Sequence, residues 1–414
     1  MRLEKNLNKL DIIDKFFIIW SFFIPITSFV LIPSVKGSLI SYILGFISPL
    51  IILFKRKNFL KKYIICFGEF VYIWLAFFCL SQLGNLIYNI NISDLILVSN
   101  ETNNIKVFRN SIFTQSLYLV PCILLYLYCK FFYNIKWDKW IVYSGWLFSV
   151  IGLYFLLYFL LTGQNGDIIS NRVFADNTEV SNIAQRLSIL SIGIERVQSL
   201  SGEPSMYAFT ILPYIIFAIH RKANKLLIAT MIVSLLLSVS TTGFLGIIIY
   251  IICILFFSKI NKRYIKNLII FIGILIFIYF LFSSYIDEII MNMIINKITA
   301  DPTNISGLER SANIMDNIIY WSNLNNINFL FGIGFGVIRS TDLLTTFLIN
   351  IGLIGTLLFA YFYLKKIKLR NLTMKKIGDN AILLVLFITS MISVPEFSYL
   401  SFWLFLGLIN SKNN

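Results

Sequence analysis

Six of the eleven arginines of this chain fall in segments that we predict to share one side of a membrane, and this grouping points most directly to chemistry. They are Arg109, Arg172, Arg186, Arg196, Arg310 and Arg339. A guanidinium group is always charged, and its planar set of N–H donors can hold a phosphate or diphosphate through two parallel bonds. Each arginine could instead pair with a loop carboxylate or a lipid headgroup. This side has six arginines and three lysines, whereas the other side has five arginines and 21 lysines. We therefore predict that at least two of the six arginines bind a diphosphate.

A second candidate for chemistry is Glu203, in the string that runs from Arg196 to Ser205. Pro204 suits the first position of a helix, where its missing N–H costs nothing. Glu203 would then be the N-cap, a position that favours Ser, Thr, Asp or Asn. A carboxylate is electrostatically comfortable at a helix N-terminus, so a capping role stays open. The alternative is a general base that takes the proton of an attacking sugar hydroxyl, and Arg196 is the second candidate catalytic residue.

Two short strings could bend the backbone near these residues. Gly332, Gly334 and Gly336 precede Arg339, and Gly334 and Gly336 could let backbone N–H groups approach an anion, or the string could simply form a turn. No βαβ pattern surrounds these glycines, so a nucleotide-binding loop is not indicated. The string 238–243 could mark a broken helix that reaches into a cavity, or a tight hairpin between two helices.

The remaining ionisable residues are less indicative of function. Glu69 lies inside an apolar run, remote from the arginines, and we expect it to be neutral or paired there. The only histidine, His220, is followed by Arg221 and Lys222 and is expected at the membrane interface. No cluster of His, Cys and carboxylate residues has the spacing of a metal site, so we predict neither a metal nor a cofactor. The five cysteines all lie in apolar segments and are expected to be unpaired.

Composition fixes the class of protein that must position these residues. Hydrophobic residues make up 58% of the 414 residues, charged residues only 13%, and the mean hydropathy is +0.80. A soluble domain has nearer a quarter of its residues charged, so the sequence predicts an all-α polytopic membrane protein, a single integral domain over 1–414. The net charge of +15 is not gathered into a basic stripe on a soluble domain, which argues against nucleic-acid binding.

The apolar runs predict about twelve membrane spans. They lie near 16–32, 38–54, 63–83, 111–133, 141–161, 204–219, 226–240, 243–257, 268–282, 343–364, 381–394 and 397–410. The string 238–243 separates two of these runs, and Pro395 separates the last two. With twelve spans, the segments on the side of the termini hold 26 of the 35 Lys and Arg residues. Short cytoplasmic loops retain cations, so both termini are predicted to be cytoplasmic and the six arginines external.

Two external loops, 162–203 and 283–342, are long enough to be functional. The apolar residues between 286 and 298 fall on one helical face and predict a helix lying in the interface. Ser306 and Glu309 have the spacing of a capping box and predict the start of a second helix, which carries Arg310. Function is therefore expected on the outer face.

The chain resembles the Wzy-type polymerases of bacterial O-antigen and capsular polysaccharide, within the O-antigen ligase and polymerase superfamily. The resemblance covers the whole topology, with its long third and fifth external loops. Locally it rests on Arg196 with Gly202 to Ser205, on 240–243, on 330–336, and on Asn350-Ile-Gly-Leu-Ile-Gly355 in the tenth span.

The resemblance implies a metal-independent, inverting glycosyltransferase of the bacterial inner membrane. Such an enzyme transfers a growing glycan from undecaprenyl pyrophosphate to the terminal sugar of a new lipid-linked repeat unit, for lipopolysaccharide or capsule. It implies that Arg172, Arg186, Arg196, Arg310 and Arg339 bind the two lipid diphosphates. Membrane lipids and a chain-length regulator protein are further candidate partners. The pattern of an arginine followed eleven residues later by glycine, found in some members, is absent from both loops, so donor and acceptor arginines are not assigned.

Two alternatives belong to other classes. An O-antigen ligase joins finished polymer to the lipid core and resembles this chain, but ligases are expected to use an external histidine, and His220 is predicted to be cytoplasmic. A flippase or other transporter of lipid-linked oligosaccharide would need polar residues near the bilayer midplane, where Glu69 is nearly alone.

Overall fold

The computed structural model describes residues 10–35, 37–88, 90–92, 95–99, 107–172, 186–189, 192–257, 305–369 and 372–411. For 186–189, 192–194 and 305–311 it describes the backbone alone. The predicted ninth span at 268–282 and the predicted interfacial helix at 286–298 lie outside the described residues.

The described chain is a helical bundle with one short β-hairpin. Its helices are α1 (Ile12–Phe23), α2 (Ile40–Lys55), α3 (Lys57–Ile87), α4 (Asn110–Phe132), α5 (Asp138–Thr162), α6 (Pro204–His220), α7 (Lys225–Leu237), α8 (Thr241–Phe257), α9 (Ile305–Ser322), α10 (Asn326–Phe331), α11 (Leu343–Leu364), α12 (Met374–Ser393) and α13 (Leu400–Ile409). Strands β1 (Arg186–Ile189) and β2 (Ile192–Glu195) pair antiparallel, with Arg186 opposite Glu195. The helical class is confirmed, and the hairpin was not predicted.

Five of the described helices are long and apolar enough to cross a membrane. They cover 57–87, 110–132, 135–162, 343–364 and 374–393. A crossing needs about 20 apolar residues, and α3 has 31. By length and composition, these helices indicate a membrane protein.

The two predicted interruptions of the apolar runs are confirmed. A turn at 238–240, in which Val239 takes φ 41°, separates α7 from α8. Residues 394–399, which include Pro395, separate α12 from α13, because proline lacks the N–H that a continuing helix requires. The capping-box prediction is wrong in position, since α9 is already helical at Ile305 and Ser306 lies inside it.

The centre of the bundle is built on α4. The half of α4 from Pro121 to Cys129 is buried, because α2 and α13 pack against it. Aromatic rings pack near the C-terminal end of α4, where the rings of Phe17 and Trp137 stack with their centroids 3.8 Å apart. Three of the five cysteines are buried and Cys79 is exposed; all are free thiols.

Helix α11 was predicted as one continuous span, but it is broken at Gly352 (φ 69°, ψ −175°). At this break, α11 lies against the glycine string of the preceding loop. A Cβ on Gly352 would lie 2.3 Å from the Leu330 carbonyl carbon, and a Cβ on Gly332 would lie 2.3 Å from that of Asn350. The Asn350 side chain accepts from the Ile338 N–H (3.0 Å) and donates to its carbonyl (2.9 Å). These contacts fix the loop that leads to Arg339.

Candidate functional site

Three segments of the chain are hydrogen-bonded together at the end of the bundle where α1 and α5 finish and α6 begins. The N–H groups of Thr27 and Ser28 donate to the Leu200 carbonyl (2.9 and 3.1 Å), and the Arg172 N–H donates to the Ser28 carbonyl (3.0 Å). Asn171 brackets Val30, accepting from its N–H and donating to its carbonyl (both 2.8 Å). The chain before Arg172 and the chain before Glu203 are therefore held against the same short segment.

A small polar pocket, which we call the arginine pocket, lies beside these loops. It is lined by Ile24, Thr27, Leu39, Ser41, Tyr42, Arg172, Arg339, Glu396, Ser398, Tyr399 and Leu400. Two of the predicted arginines, one from each of the two long loops that were predicted to be external, thus meet in one site. Its volume of about 20 Å³ has room for roughly one water molecule, so a diphosphate could enter only after side chains move.

The strongest interaction in the arginine pocket joins Arg339 to Glu396. The Arg339 Nη2 lies 2.9 Å from Glu396 Oε2, and the side chains are 45% and 17% exposed. The charge of Glu396 raises the pKa of Arg339, which keeps the guanidinium protonated. The other carboxylate oxygen, Oε1, accepts from Ser398 Oγ (2.7 Å). Glu396 is thereby held in place, and it in turn orients Arg339.

The backbone of Arg339 is fixed on both sides. Its N–H donates to the Ile96 carbonyl (3.3 Å), next to the β-bridge between Leu97 and Ile338. Just beyond, Asp342 caps α11: its Oδ1 accepts from the Thr345 N–H (2.7 Å). Asp342 is buried, so this acidic residue has a structural role.

Arg172 and Glu203 complete the charged groups at this end. The Arg172 Nη1 donates to the Thr27 carbonyl (3.1 Å), which directs its guanidinium into the arginine pocket. Glu203 does not line the pocket but lies at the same end of the bundle, at the start of α6. Two guanidinium groups and the Glu396 carboxylate therefore line one pocket together with Tyr399.

Glu203 takes the predicted N-cap position of α6, with extended backbone (φ −144°, ψ 148°) and Pro204 following it. Its side chain makes no capping hydrogen bond. Instead its Oε2 lies 3.3 Å from Ser205 Oγ, and the residue is half-buried. Helix capping alone thus does not account for the carboxylate.

Arg109 and Arg196 do not line the arginine pocket. Arg196 follows β2 and is half-buried. Arg186 begins β1 and Arg310 lies in α9, and only their backbones are described. Arg109 is buried at the N-cap of α4, and its Nη2 donates to the Ser99 carbonyl (2.8 Å). Arg109 therefore has a structural contact within the bundle.

The glycine string behaves as a turn. The Gly334 N–H donates to the Asn350 carbonyl (3.1 Å), so it does not point at an anion. Gly336 takes φ 79°, and a Cβ there would lie 2.4 Å from the Gln115 side chain. Both glycines are needed for close packing, and neither lines the arginine pocket. These contacts fit the turn that was one of the two interpretations of the string, and the substrate-binding role of Gly334 and Gly336 stays a prediction.

The remaining sequence candidates lie away from the arginine pocket. Glu69 is exposed on α3 rather than buried. His220 is buried at the far end of α6, where its ring nitrogens lie 2.7 Å from the Met374 carbonyl oxygen and 3.0 Å from Tyr250 Oη. Within the part of the chain that the structure describes, no three His, Cys, Asp or Glu residues come together as metal ligands.

Glu396 and Tyr399 were not selected from the sequence. The available signal was Glu396 directly after Pro395, a charged residue between two apolar runs at the predicted outer face. Comparisons with protein-family models, with curated proteins and with solved structures found no match.

Proposed function

We propose that this protein polymerises lipid-linked oligosaccharide repeat units on the outer face of a bacterial cytoplasmic membrane. In this proposal the chain crosses the membrane about twelve times with both termini in the cytoplasm, and the arginine pocket faces outward. The donor is a growing glycan on undecaprenyl pyrophosphate, and the acceptor is the terminal sugar of a second lipid-linked unit.

One observation carries the proposal: Arg172 and Arg339 come from different loops and meet in a single polar pocket beside the Glu396 carboxylate. Charge is expensive in a membrane protein and is usually retained for function. Two guanidinium groups on one site suit a diphosphate, whose leaving oxygens gain negative charge as the glycosidic bond breaks.

The chemistry follows from these groups. The acceptor hydroxyl oxygen attacks the anomeric carbon of the donor sugar, and the bond from that carbon to the diphosphate oxygen breaks with inversion. Glu203 accepts the hydroxyl proton as general base. Arg172 and Arg339 stabilise the departing lipid diphosphate, while Glu396 positions Arg339. Because the arginine pocket is small, the Arg339–Glu396 pair moves when the diphosphate enters.

The test is transfer by the purified protein in proteoliposomes that contain lipid-linked repeat units as both donor and acceptor. The proposal predicts products two and more units long on one lipid, made by the wild type and lost in Arg172→Ala and Arg339→Ala. Units that cross the bilayer without being joined would identify a transporter instead. In parallel vesicles that also contain a lipid-core acceptor, glycan transfer only to that acceptor would identify a ligase.

A further inference from the structure

A second pocket, the basal pocket, lies at the opposite end of the bundle from the arginine pocket. It is formed where α5 begins and where α6 turns into α7, and it measures about 540 Å³. The charged residues that line it are Lys136, Asp138, Lys139, Arg221 and Lys222. Four cations therefore face one carboxylate.

The carboxylate is already engaged. Asp138 accepts from Tyr133 Oη (2.5 Å) and from Arg221 Nε (3.2 Å). Arg221 also reaches Asp379 through Nη2 (3.2 Å), with all three side chains largely buried. The acidic groups near the basal pocket are thus balanced from within the protein, whereas its three lysines are exposed.

Lys222 occupies an unusual backbone position. Its φ is 53°, in the left-handed region where glycine is preferred at the end of a helix. The turn is a Schellman motif: the Lys222 N–H donates to the Ile219 carbonyl (3.2 Å) and the Ala223 N–H to the Ala218 carbonyl (2.9 Å). A lysine here is strained, and strained positions often accompany function.

An apolar surface continues from the basal pocket along α5. Trp140 and Tyr143 line the pocket, and the Lys139 ammonium lies 5.0 Å from the Trp140 ring centroid. Tyr143 and Leu147, one turn further on, are both exposed, as is Leu226 at the start of α7. The charged residues of the basal pocket suit the phosphate headgroup of a phospholipid, and the exposed apolar side chains beside the pocket suit its acyl chains.

We propose that the basal pocket binds an anionic phospholipid, with its phosphate on Lys136, Lys139 and Lys222 and its acyl chains along Tyr143 and Leu147. Basic pockets between helices on the cytoplasmic side of membrane proteins favour anionic headgroups. Cation retention in short loops would explain lysines at this end, but not a strained Lys222 beside a cavity. This site is separate from the proposed glycan transfer.

The test measures lipid retained by the purified protein from mixed micelles of phosphatidylglycerol and phosphatidylcholine, by native mass spectrometry. The wild type is expected to retain phosphatidylglycerol selectively. The double variant Lys136→Gln with Lys139→Gln is expected to retain phosphatidylglycerol about 30-fold more weakly, because each lysine contributes about 1 kcal/mol to lipid binding. The matched control replaces Lys57 and Lys61, exposed lysines at the same end on α3, with Gln.

Lys222→Gly keeps the proposal testable if the double variant folds poorly. Glycine suits the left-handed turn, so Tm should hold or rise while phosphatidylglycerol retention falls about fivefold. Equal losses in the control and the basal-pocket variants would overturn the proposal, because the effect would then be general charge. Complete displacement of the lipid by millimolar inorganic phosphate would also overturn it, because the site would then hold a free anion.

Discussion

The pair formed by Arg339 and Glu396 offers the sharpest prediction, because its contributions to stability and to activity should differ widely. At 2.9 Å the Coulomb attraction is about 6 kcal/mol for an effective dielectric constant of 20, before desolvation is counted. Arg339 is 45% exposed, so water screens most of this attraction. The net contribution to folding should be near that of an exposed pair, about 1 kcal/mol.

The effect on transfer should be much larger. If Arg339 stabilises the leaving diphosphate, Arg339→Ala should slow transfer about 10²- to 10³-fold, as for loss of one donor to a developing negative charge. Glu396→Ala should slow transfer about tenfold, because Arg339 remains but is less well oriented. The double variant should be no slower than Arg339→Ala, because Glu396 acts through Arg339.

The assay is initial transfer rate in proteoliposomes, with Tm measured on the same preparations. Arg56→Ala is the matched control, since Arg56 pairs with Asp11 at 3.3 Å on the opposite end of the bundle, and it should leave the rate unchanged. Additive losses from Arg339→Ala and Glu396→Ala would refute the positioning role of Glu396. A rate for Arg339→Ala within about threefold of wild type would refute the diphosphate role.

Three further predictions concern single positions. Glu203→Gln should abolish transfer but leave Tm nearly unchanged, because its side chain makes no capping bond; a normal rate would remove Glu203 as the base. Gly352→Ala should lower stability by about 3 kcal/mol through the backbone overlap and positive φ, whereas Gly68→Ala, with nothing within 4 Å, should not lower Tm. Arg221→Ala should lower the free energy of unfolding by about 3–5 kcal/mol, because the largely buried carboxylates of Asp138 and Asp379 lose their cationic partner. A Tm close to that of the wild type would contradict this.

Local backbone chemistry made several elements predictable. The start of α6 at Pro204 and the separation of α12 from α13 follow from proline, which acts within its own turn of helix. The turn after α7 lies within a run of short polar residues and glycine in apolar surroundings. Features of this kind depend on a few adjacent residues, so the sequence is sufficient to find them.

The remainder depends on contacts between distant parts of the chain. The break at Gly352 is stabilised by the loop near Gly332, so the apolar pattern of α11 does not reveal it. The pairing of Arg339 with Glu396 requires the starts of α11 and α13 to lie beside each other, which no local pattern encodes. For the same reason the sequence could nominate six arginines but could not select Arg172 and Arg339.

The most direct test of the proposed function is the surface-polysaccharide gel profile of a strain that lacks this gene, rescued by plasmids. The wild-type gene should restore a long ladder, and a gene carrying both Arg172→Ala and Arg339→Ala should leave single repeat units on the lipid core with normal protein levels. A full ladder from the double variant, or an unchanged ladder in the strain without the gene, would contradict the proposal that this protein joins repeat units through the arginine pocket.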